Sequence, residues 1–440
     1  LKKLINYIND NVLIRITSLK AASVITKIIA GVLTSKAIAV FIGAEGLALI
    51  GNLRNFVGSA QSLATLGFYN GAVKYIAKFK DEVSNLSKTL STVFYFGFIA
   101  TMLISLFCYF NADLINNIIF PTYNNYAYVI KVFAIVLPFY ALNMFSFSIM
   151  NGFSKYKILI IINIIGQILG VSIAVLLIYQ NRIDGALISV VIAESIIFLI
   201  TLVGIINRRS LAPLIRVKQV DPSFLKKMAP YCLMALFTAI ILPLVSLAIR
   251  SYIIENVSYK DAGYWEAMTR ISKYYLMMVT SLMALYILPR FSEIDNIKEF
   301  KKEVMIFYKA VIPLFVIGLG IIYVLKSYIV LFVFSKEFQP VENLFLWQLL
   351  GDLLKVLAMV LVYQFLAKRM MWHYIVTEIF FLIMLYITSI YFIDVYGVKG
   401  AVIGHCVSYL VYYAIILLIF GSSIFRVDGI EKGSSEEAGS

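Results

Sequence analysis

The sequence predicts an all-α polytopic membrane protein, with twelve transmembrane helices in two six-helix lobes around a central cationic cavity. Three observations carry this prediction. Hydrophobic residues make up 61% of the 440 and charged residues only 14%, against roughly 25% charged in a soluble protein. The apolar residues gather in runs of about 20, the length that crosses a bilayer as a helix, and no alternating ten-residue strands of a barrel are present. Charges recur inside those runs at helical spacing.

The apolar segments fall at roughly 21–42, 46–70, 89–110, 127–150, 157–179, 185–206, 229–250, 262–289, 304–326, 341–366, 372–394 and 398–421. With both termini placed inside, the inside stretches hold 24 basic residues. The outside loops and their edges hold six: Arg182, Arg250, Lys260, Lys326, Lys336 and Lys399. This asymmetry is the positive-inside pattern. It accounts for the net charge of +14 without a nucleic-acid partner. No cleaved signal peptide is read at the start of the sequence. Asn111–Tyr128, rich in Asn and Tyr, reads as an outside surface loop. Pro138, Pro230, Pro243, Pro289 and Pro313 read as bends or helix boundaries.

An internal repeat is visible at an offset of 215. Gly185-Ala186 opens the sixth segment and Gly400-Ala401 the twelfth; loops 151–157 and 366–372 show the same offset. The expected organisation is an N-terminal lobe over 1–206, a basic cytoplasmic linker over 207–228, a C-terminal lobe over 229–425 and a disordered tail over 426–440. Six helices per half make this a parallel repeat about the membrane normal, enclosing a cavity between the lobes.

The polar residues inside the segments point to chemistry. In the run GYWEAMTRISKYY, Glu266, Arg270 and Lys273 share one helix face at i, i+4 and i+7. A charge at the bilayer centre costs about 2.5–3.5 kcal/mol on insertion scales. Such a stripe either pairs with other helices or lines water. Ser23, Lys27, Ala30 and Thr34 form a small, polar stripe on the first segment. Arg54, Gly58, Gln61 and Thr65 repeat that spacing on the second. Asp352 and Lys355 sit one turn apart on the tenth. Glu194 and Glu378 complete the intramembrane acids.

Two local pairs are expected, Glu266 with Arg270 and Asp352 with Lys355. All these charges could be structural pairs knitting helices together. Lys27 and Arg54 fit that reading least, having no acid within a turn. Clustered cations in a membrane cavity favour an anionic substrate, and phosphate suits arginine geometry.

Several function classes are excluded or left without support. There is no Walker lysine loop, no H-E-x-x-H and no G-x-S-x-G turn, so a primary ATP pump would need a partner ATPase. No cofactor is called for. His373 and His405 lack metal-ligand spacing and read as satisfied interior or interfacial residues. Cys108, Cys232 and Cys406 read as small packing residues rather than disulfide partners.

Thr26-Lys27-Ile28-Ile29-Ala30-Gly31, Phe41-Ile42-Gly43-Ala44-Glu45-Gly46-Leu47, Asn55-Phe56, Asn70-Gly71-Ala72-Val73-Lys74-Tyr75 and above all the run Trp347–Lys355, WQLLGDLLK, resemble Wzx-type flippases of O-antigen and enterobacterial common antigen. These belong to the multidrug/oligosaccharidyl-lipid/polysaccharide (MOP) exporter superfamily. The resemblance covers about residues 12–425. It implies the MATE-like fold of two bundles that alternate between inward- and outward-open. It implies a transporter rather than an enzyme, in the bacterial inner membrane with both termini cytoplasmic. The substrate would be an undecaprenyl-pyrophosphate-linked oligosaccharide, an O-antigen repeat unit or a unit of the lipid III type, moved to the periplasmic leaflet. A polysaccharide polymerase and a chain-length regulator are the protein partners it implies.

Relatives that flip the peptidoglycan precursor use cavity arginines on helices one, two and eight, and Lys27, Arg54 and Arg270 match those places. With Lys273 and Lys355 they form the candidate pyrophosphate site, and Gln61 and Thr34 its polar lining. Glu266, Asp352, Glu194 and Glu378 are the candidate proton or ion carriers or charge partners. A drug or cation antiporter of the same superfamily would instead need an acid-lined cavity. A membrane glycan polymerase would need a large periplasmic loop with catalytic residues.

Overall fold

The fold is seen in a computed structural model, which describes residues 12–120, 125–205, 212–294, 296–368 and 370–425. Helices dominate, and no strand occurs among the described residues. In chain order they are α1 (Val12–Phe41), α2 (Ala44–Ala64), α3 (Phe68–Phe79), α4 (Val83–Phe110), α5 (Ala112–Ile119), α6 (Ala127–Gly152) and α7 (Tyr156–Ile205). Two short 3-10 turns lie in the linker. Then come α8 (Pro222–Asn256), α9 (Tyr259–Leu282), a π turn over Met283–Ile287, α10 (Leu288–Glu293), α11 (Ile297–Val324) and α12 (Lys326–Val333). A 3-10 stretch over Lys336–Leu344 leads into α13 (Phe345–Ala367), α14 (Met371–Tyr396) and α15 (Val398–Phe425).

Ten helices among the described residues are long and apolar enough to cross a membrane. This multi-pass character follows from composition, but the count differs from the twelve expected segments for two reasons. Segments 157–179 and 185–206 run together in α7, which is broken only at Asn181 and Arg182, where the dihedrals leave the helical region. The segment at 46–70 gives α2, which carries Glu45, Asn52, Arg54, Asn55 and Gln61 and is too polar to be among the ten. Its polarity has a structural reason, given below.

The repeat is written into the element boundaries. Phe41 and Asn256 end helices 215 apart, Ala44 and Tyr259 begin helices 215 apart, and Tyr156 and Met371 do the same. Val83 with Ile297, and Ala112 with Lys326, follow at 214. The two glycines that signalled the repeat do the same work in both halves. A Cβ on Gly185 would lie 1.9 Å from the Leu177 carbonyl oxygen, and one on Gly400 2.0 Å from that of Phe392. Each lets a helix fold back against its predecessor at backbone contact.

The expected loop at Asn111–Tyr128 is instead largely structured. Residues 112–119 form α5, with Ala112, Ile115, Asn116 and Ile119 buried at i, i+3, i+4 and i+7; its counterpart is α12. Residues 121–124, 206–211 and the tail 426–440 lie outside the described residues.

Two apolar cores result. One is drawn mainly from α1, α2 and α5–α7, with contributions from α9, α12 and α13. The other is drawn mainly from α8–α15. All three cysteines are free and buried. Lys36, near the end of α1, gives its ammonium to the carbonyls of Leu331 (2.8 Å) and Phe334 (2.5 Å). It thereby caps the end of α12, where unpaired carbonyls favour a cation.

Candidate functional site: a cationic cavity between the two halves

α2 and α9 occupy equivalent places in the repeat and cross near their N-terminal ends. The crossing is close because small residues meet there. A Cβ on Gly263 would stand 2.0 Å from the Ala44 carbonyl oxygen. Gly51 faces the Glu266 carboxylate, whose Oε2 would be 2.6 Å from an added Cβ. Beside this crossing lies a cavity of about 670 Å³. It is walled by α1, α2, both limbs of α7, α9 and α13.

Nine of the eleven sequence-predicted site residues line this cavity: Lys27, Thr34, Arg54, Gln61, Glu194, Glu266, Arg270, Lys273 and Lys355. Lys27, Arg54 and Lys273 are exposed although they sit within or between membrane-depth helices, because the cavity is the space they face. This explains the polarity of α2: its Arg54, Asn55, Gly58 and Gln61 form one wall. Five cations meet two carboxylates here. Lys27, Arg54, Lys273 and Lys355 have no carboxylate within 4.0 Å among the described residues.

Arg270 is held differently. Its Nε donates to Glu266 Oε1 at 2.9 Å, the expected i, i+4 pair, and its Nη1 donates to Ser35 Oγ at 3.3 Å. Ser35 also meets the Tyr274 hydroxyl at 2.9 Å, and Gly31 leaves the room that the Tyr274 ring fills. Arg270 Nη2 and Asn55 Nδ2 are buried with no hydrogen-bond partner among the described residues. Both residues line the cavity, but these two nitrogens are shut off from it, so they meet an anion only after the side chains shift.

The second oxygen of Glu266 takes a cation that the sequence reading placed outside. Arg250 is 2% exposed, not at a loop edge, because α8 continues six residues past it. Its Nη2 donates to Glu266 Oε2 at 2.5 Å, its Nη1 to Asn52 Oδ1 at 2.8 Å, and its guanidinium lies 5.2 Å from the Trp265 ring centroid. Asn52 in turn donates to the Ile119 carbonyl at 2.9 Å. Glu266 is thus the hub of a buried Arg250–Glu266–Arg270 triad tied to α1, α2 and α5. Along α1, α2 and α9 these residues sit nearer the α1–α2 and α8–α9 turns than the other cavity residues do, so the triad closes that end.

Two candidates do not line the cavity. Asp352 is fully buried behind it and makes no ion pair with Lys355, which corrects the expected local pair. Its carboxylate accepts instead from Ser272 (2.5 Å), Tyr275 and Gln348, and pairs with His405 Nε2 at 3.1 Å. Lys355 turns its Nζ over the Tyr409 ring, 5.5 Å from the centroid. Glu378 lies deeper in the second half and accepts from the Tyr412 hydroxyl at 3.1 Å.

Comparison with known proteins fits this geometry. A family model described as polysaccharide biosynthesis protein matches residues 41–343. The chain belongs to this family. It is 27% identical over 403 residues to the lipid III flippase of Escherichia coli (strain K12), covering 91% of this chain and 96% of that protein. Two solved structures show the fold. An inward-facing MATE family multidrug transporter of the MOP superfamily superposes with a TM-score of 0.67 at 14% identity, covering 90% of this chain and 94% of that one. The lipid II flippase MurJ in an inward closed conformation gives 0.69 at 17% identity, covering 93% and 87%. The resemblance read from WQLLGDLLK and the first hairpin is borne out at the level of family and fold.

Proposed function

We propose that this protein is a flippase for a lipid-linked oligosaccharide, and that the cavity cations hold the pyrophosphate of an undecaprenyl-pyrophosphate carrier. The observation that carries the proposal is the charge of the cavity wall. Five cations face two carboxylates, one of which is already committed to the Arg250–Arg270 triad. Moving a pyrophosphate through hydrocarbon is prohibitive, and fixed cations in a hydrated cavity offset that cost. The likeness to the lipid III flippase supports the same substrate class.

In this reading Lys27, Arg54, Arg270, Lys273 and Lys355 grip the phosphates, while Gln61 and Thr34 meet the neighbouring polar groups. The glycan crosses within the cavity and the polyprenyl tail stays in lipid. With both termini in the cytoplasm of an inner-membrane protein, the triad seals the periplasmic end and the cavity faces inward. Rocking of the two halves, 1–206 and 229–425, then exchanges the open side.

The test is reconstitution into liposomes with a labelled pyrophosphoryl-lipid glycan. The protein should move the label across the bilayer. Transport of organic cations without movement of the glycan lipid would instead favour the drug-antiporter reading, which the cationic wall opposes.

A further inference from the structure

We propose that the buried Asp352–His405 pair is a proton-binding switch that sets how far Lys355 is available to the cavity. It deepens the flippase reading and rests on it for its purpose, but the switch can be read without transport.

Both oxygens of Asp352 are occupied by donors. Ser272 and Tyr275 of α9 donate to Oδ2, Gln348 lies 3.3 and 3.2 Å from the two oxygens, and His405 Nε2 of α15 stands 3.1 Å from Oδ1. The close approach of α15 depends on Gly351, where a Cβ would meet His405 Cδ2 at 2.5 Å. Among the described residues His405 is the only basic side chain within ion-pair distance of Asp352.

The other titratable groups around the pair are Lys355 on α13 itself, Tyr275 from α9, Cys406 and Tyr409 from α15, Tyr308 from α11 and Glu378 from α14. Tyr308 is committed to the Leu357 carbonyl at 2.8 Å and Glu378 to Tyr412. The His405 ring rests on Tyr409 with centroids 4.8 Å apart, and Tyr409 is the ring that carries Lys355.

One proton on the pair leaves it neutral overall, as imidazolium with carboxylate or as imidazole with carboxylic acid. Removing that proton leaves a carboxylate at membrane depth with no cation beside it, which is strongly unfavourable. The remedy at hand is Lys355, at i+3 on the same helix and therefore on the same face. Deprotonation draws Lys355 towards Asp352 and away from the cavity; protonation returns it. By linkage, an anion that engages Lys355 promotes proton uptake at the pair.

The fold itself does not require this cluster. At the repeat offset of 215, Ser272, Tyr275, Gln348, Asp352 and His405 correspond to Val57, Ala60, Phe133, Leu137 and Val190. The first four are buried in the apolar core and Val190 packs against it. The same packing problem is solved there without a charge.

The experiment uses the full-length protein in lipid nanodiscs with inorganic pyrophosphate as the probe, at about pH 5.5 and 8, either side of the histidine range. Relative to Asp352→Asn, the unaltered protein should lose affinity by at least about fivefold on going to the higher pH. Asp352→Asn and His405→Arg should bind strongly at both values, and His405→Gln weakly at both. Parallel pH profiles for all four would overturn the switch, as would a sodium dependence in place of the pH dependence.

Infrared difference spectra of the same protein without anion provide a second reading. They should show a pH-driven carboxyl and imidazole signal that Asp352→Asn and His405→Gln abolish; its absence overturns the proposal. Failure of the anion-site reading looks different: Arg54→Ala and Arg270→Ala would leave pyrophosphate affinity unchanged while the infrared signal persists.

Discussion

The two halves of the molecule share helix boundaries and glycine contacts but spend their interiors differently. Around Leu137 the first half packs apolar side chains. Around Asp352, the corresponding position, the second half packs a carboxylate, an imidazole, a phenol, a hydroxyl and an amide. Where α2 has Gly51, α9 has Glu266, the hub of the triad. The first half contributes Lys27, Arg54 and the carboxylate of Glu194 to the cavity, with no ion pair among them. The second half contributes cations whose charge is balanced, or contested, by buried acids. The difference teaches that the repeat fixes where the helices lie, and that the asymmetry laid on it carries the chemistry.

The comparison can be broken most sharply at Glu266. Glu266→Ala leaves Arg250 and Arg270 buried without their counter-charge and should cost about 3–5 kcal/mol, read as a large fall in the thermal unfolding temperature in detergent. The glycine pair tests what the halves have in common. Gly185→Ala and Gly400→Ala each force a Cβ against a backbone carbonyl, and each should cost about 1–3 kcal/mol; a large difference between them would mean that the repeat contact matters in one half only.

Copying the first half into the second touches only one half. Asp352→Leu combined with His405→Val brings in the residues found at 137 and 190 but leaves Ser272, Tyr275 and Gln348 without their acceptor; it should cost about 1–3 kcal/mol while abolishing the pH dependence of anion binding. Smallest of all, Lys27→Ala and Arg54→Ala remove cavity-facing cations with no ion-pair partner among the described residues and should shift stability by no more than about 0.5 kcal/mol.

Much of this was legible in the sequence because charges within apolar runs are costly and therefore informative. Spacing put Lys27, Arg54, Arg270 and Lys273 on polar helix faces that either pair or line water, and the family resemblance put the first three at a cavity. The offset of 215 was visible in two Gly-Ala pairs, and the structure extends it to most helix boundaries. What escaped did so for physical reasons. Arg250 stood at the end of an apolar run and looked like a loop residue; the signal missed was that a short α8–α9 turn returns the chain so that Glu266 can reach it.

His405 had no neighbour in sequence to give it meaning, since its partner Asp352 comes from another helix. The Asp352–Lys355 spacing suggested a pair, but spacing gives adjacency and not partnership, and His405 took the place. In α5 the buried face was present as Ala112, Ile115, Asn116 and Ile119, hidden by its Asn-rich surroundings.

The central claim is that the cavity cations hold an anionic lipid carrier, and Arg54 tests it most directly because it faces the cavity and has no ion-pair partner among the described residues. The measurement is the rate of pyrophosphoryl-lipid glycan flipping by Arg54→Ala in proteoliposomes, at matched protein content and with unfolding temperature checked. A loss of at least about tenfold, with stability unchanged, is the predicted result. Flipping at the unaltered rate would contradict the account.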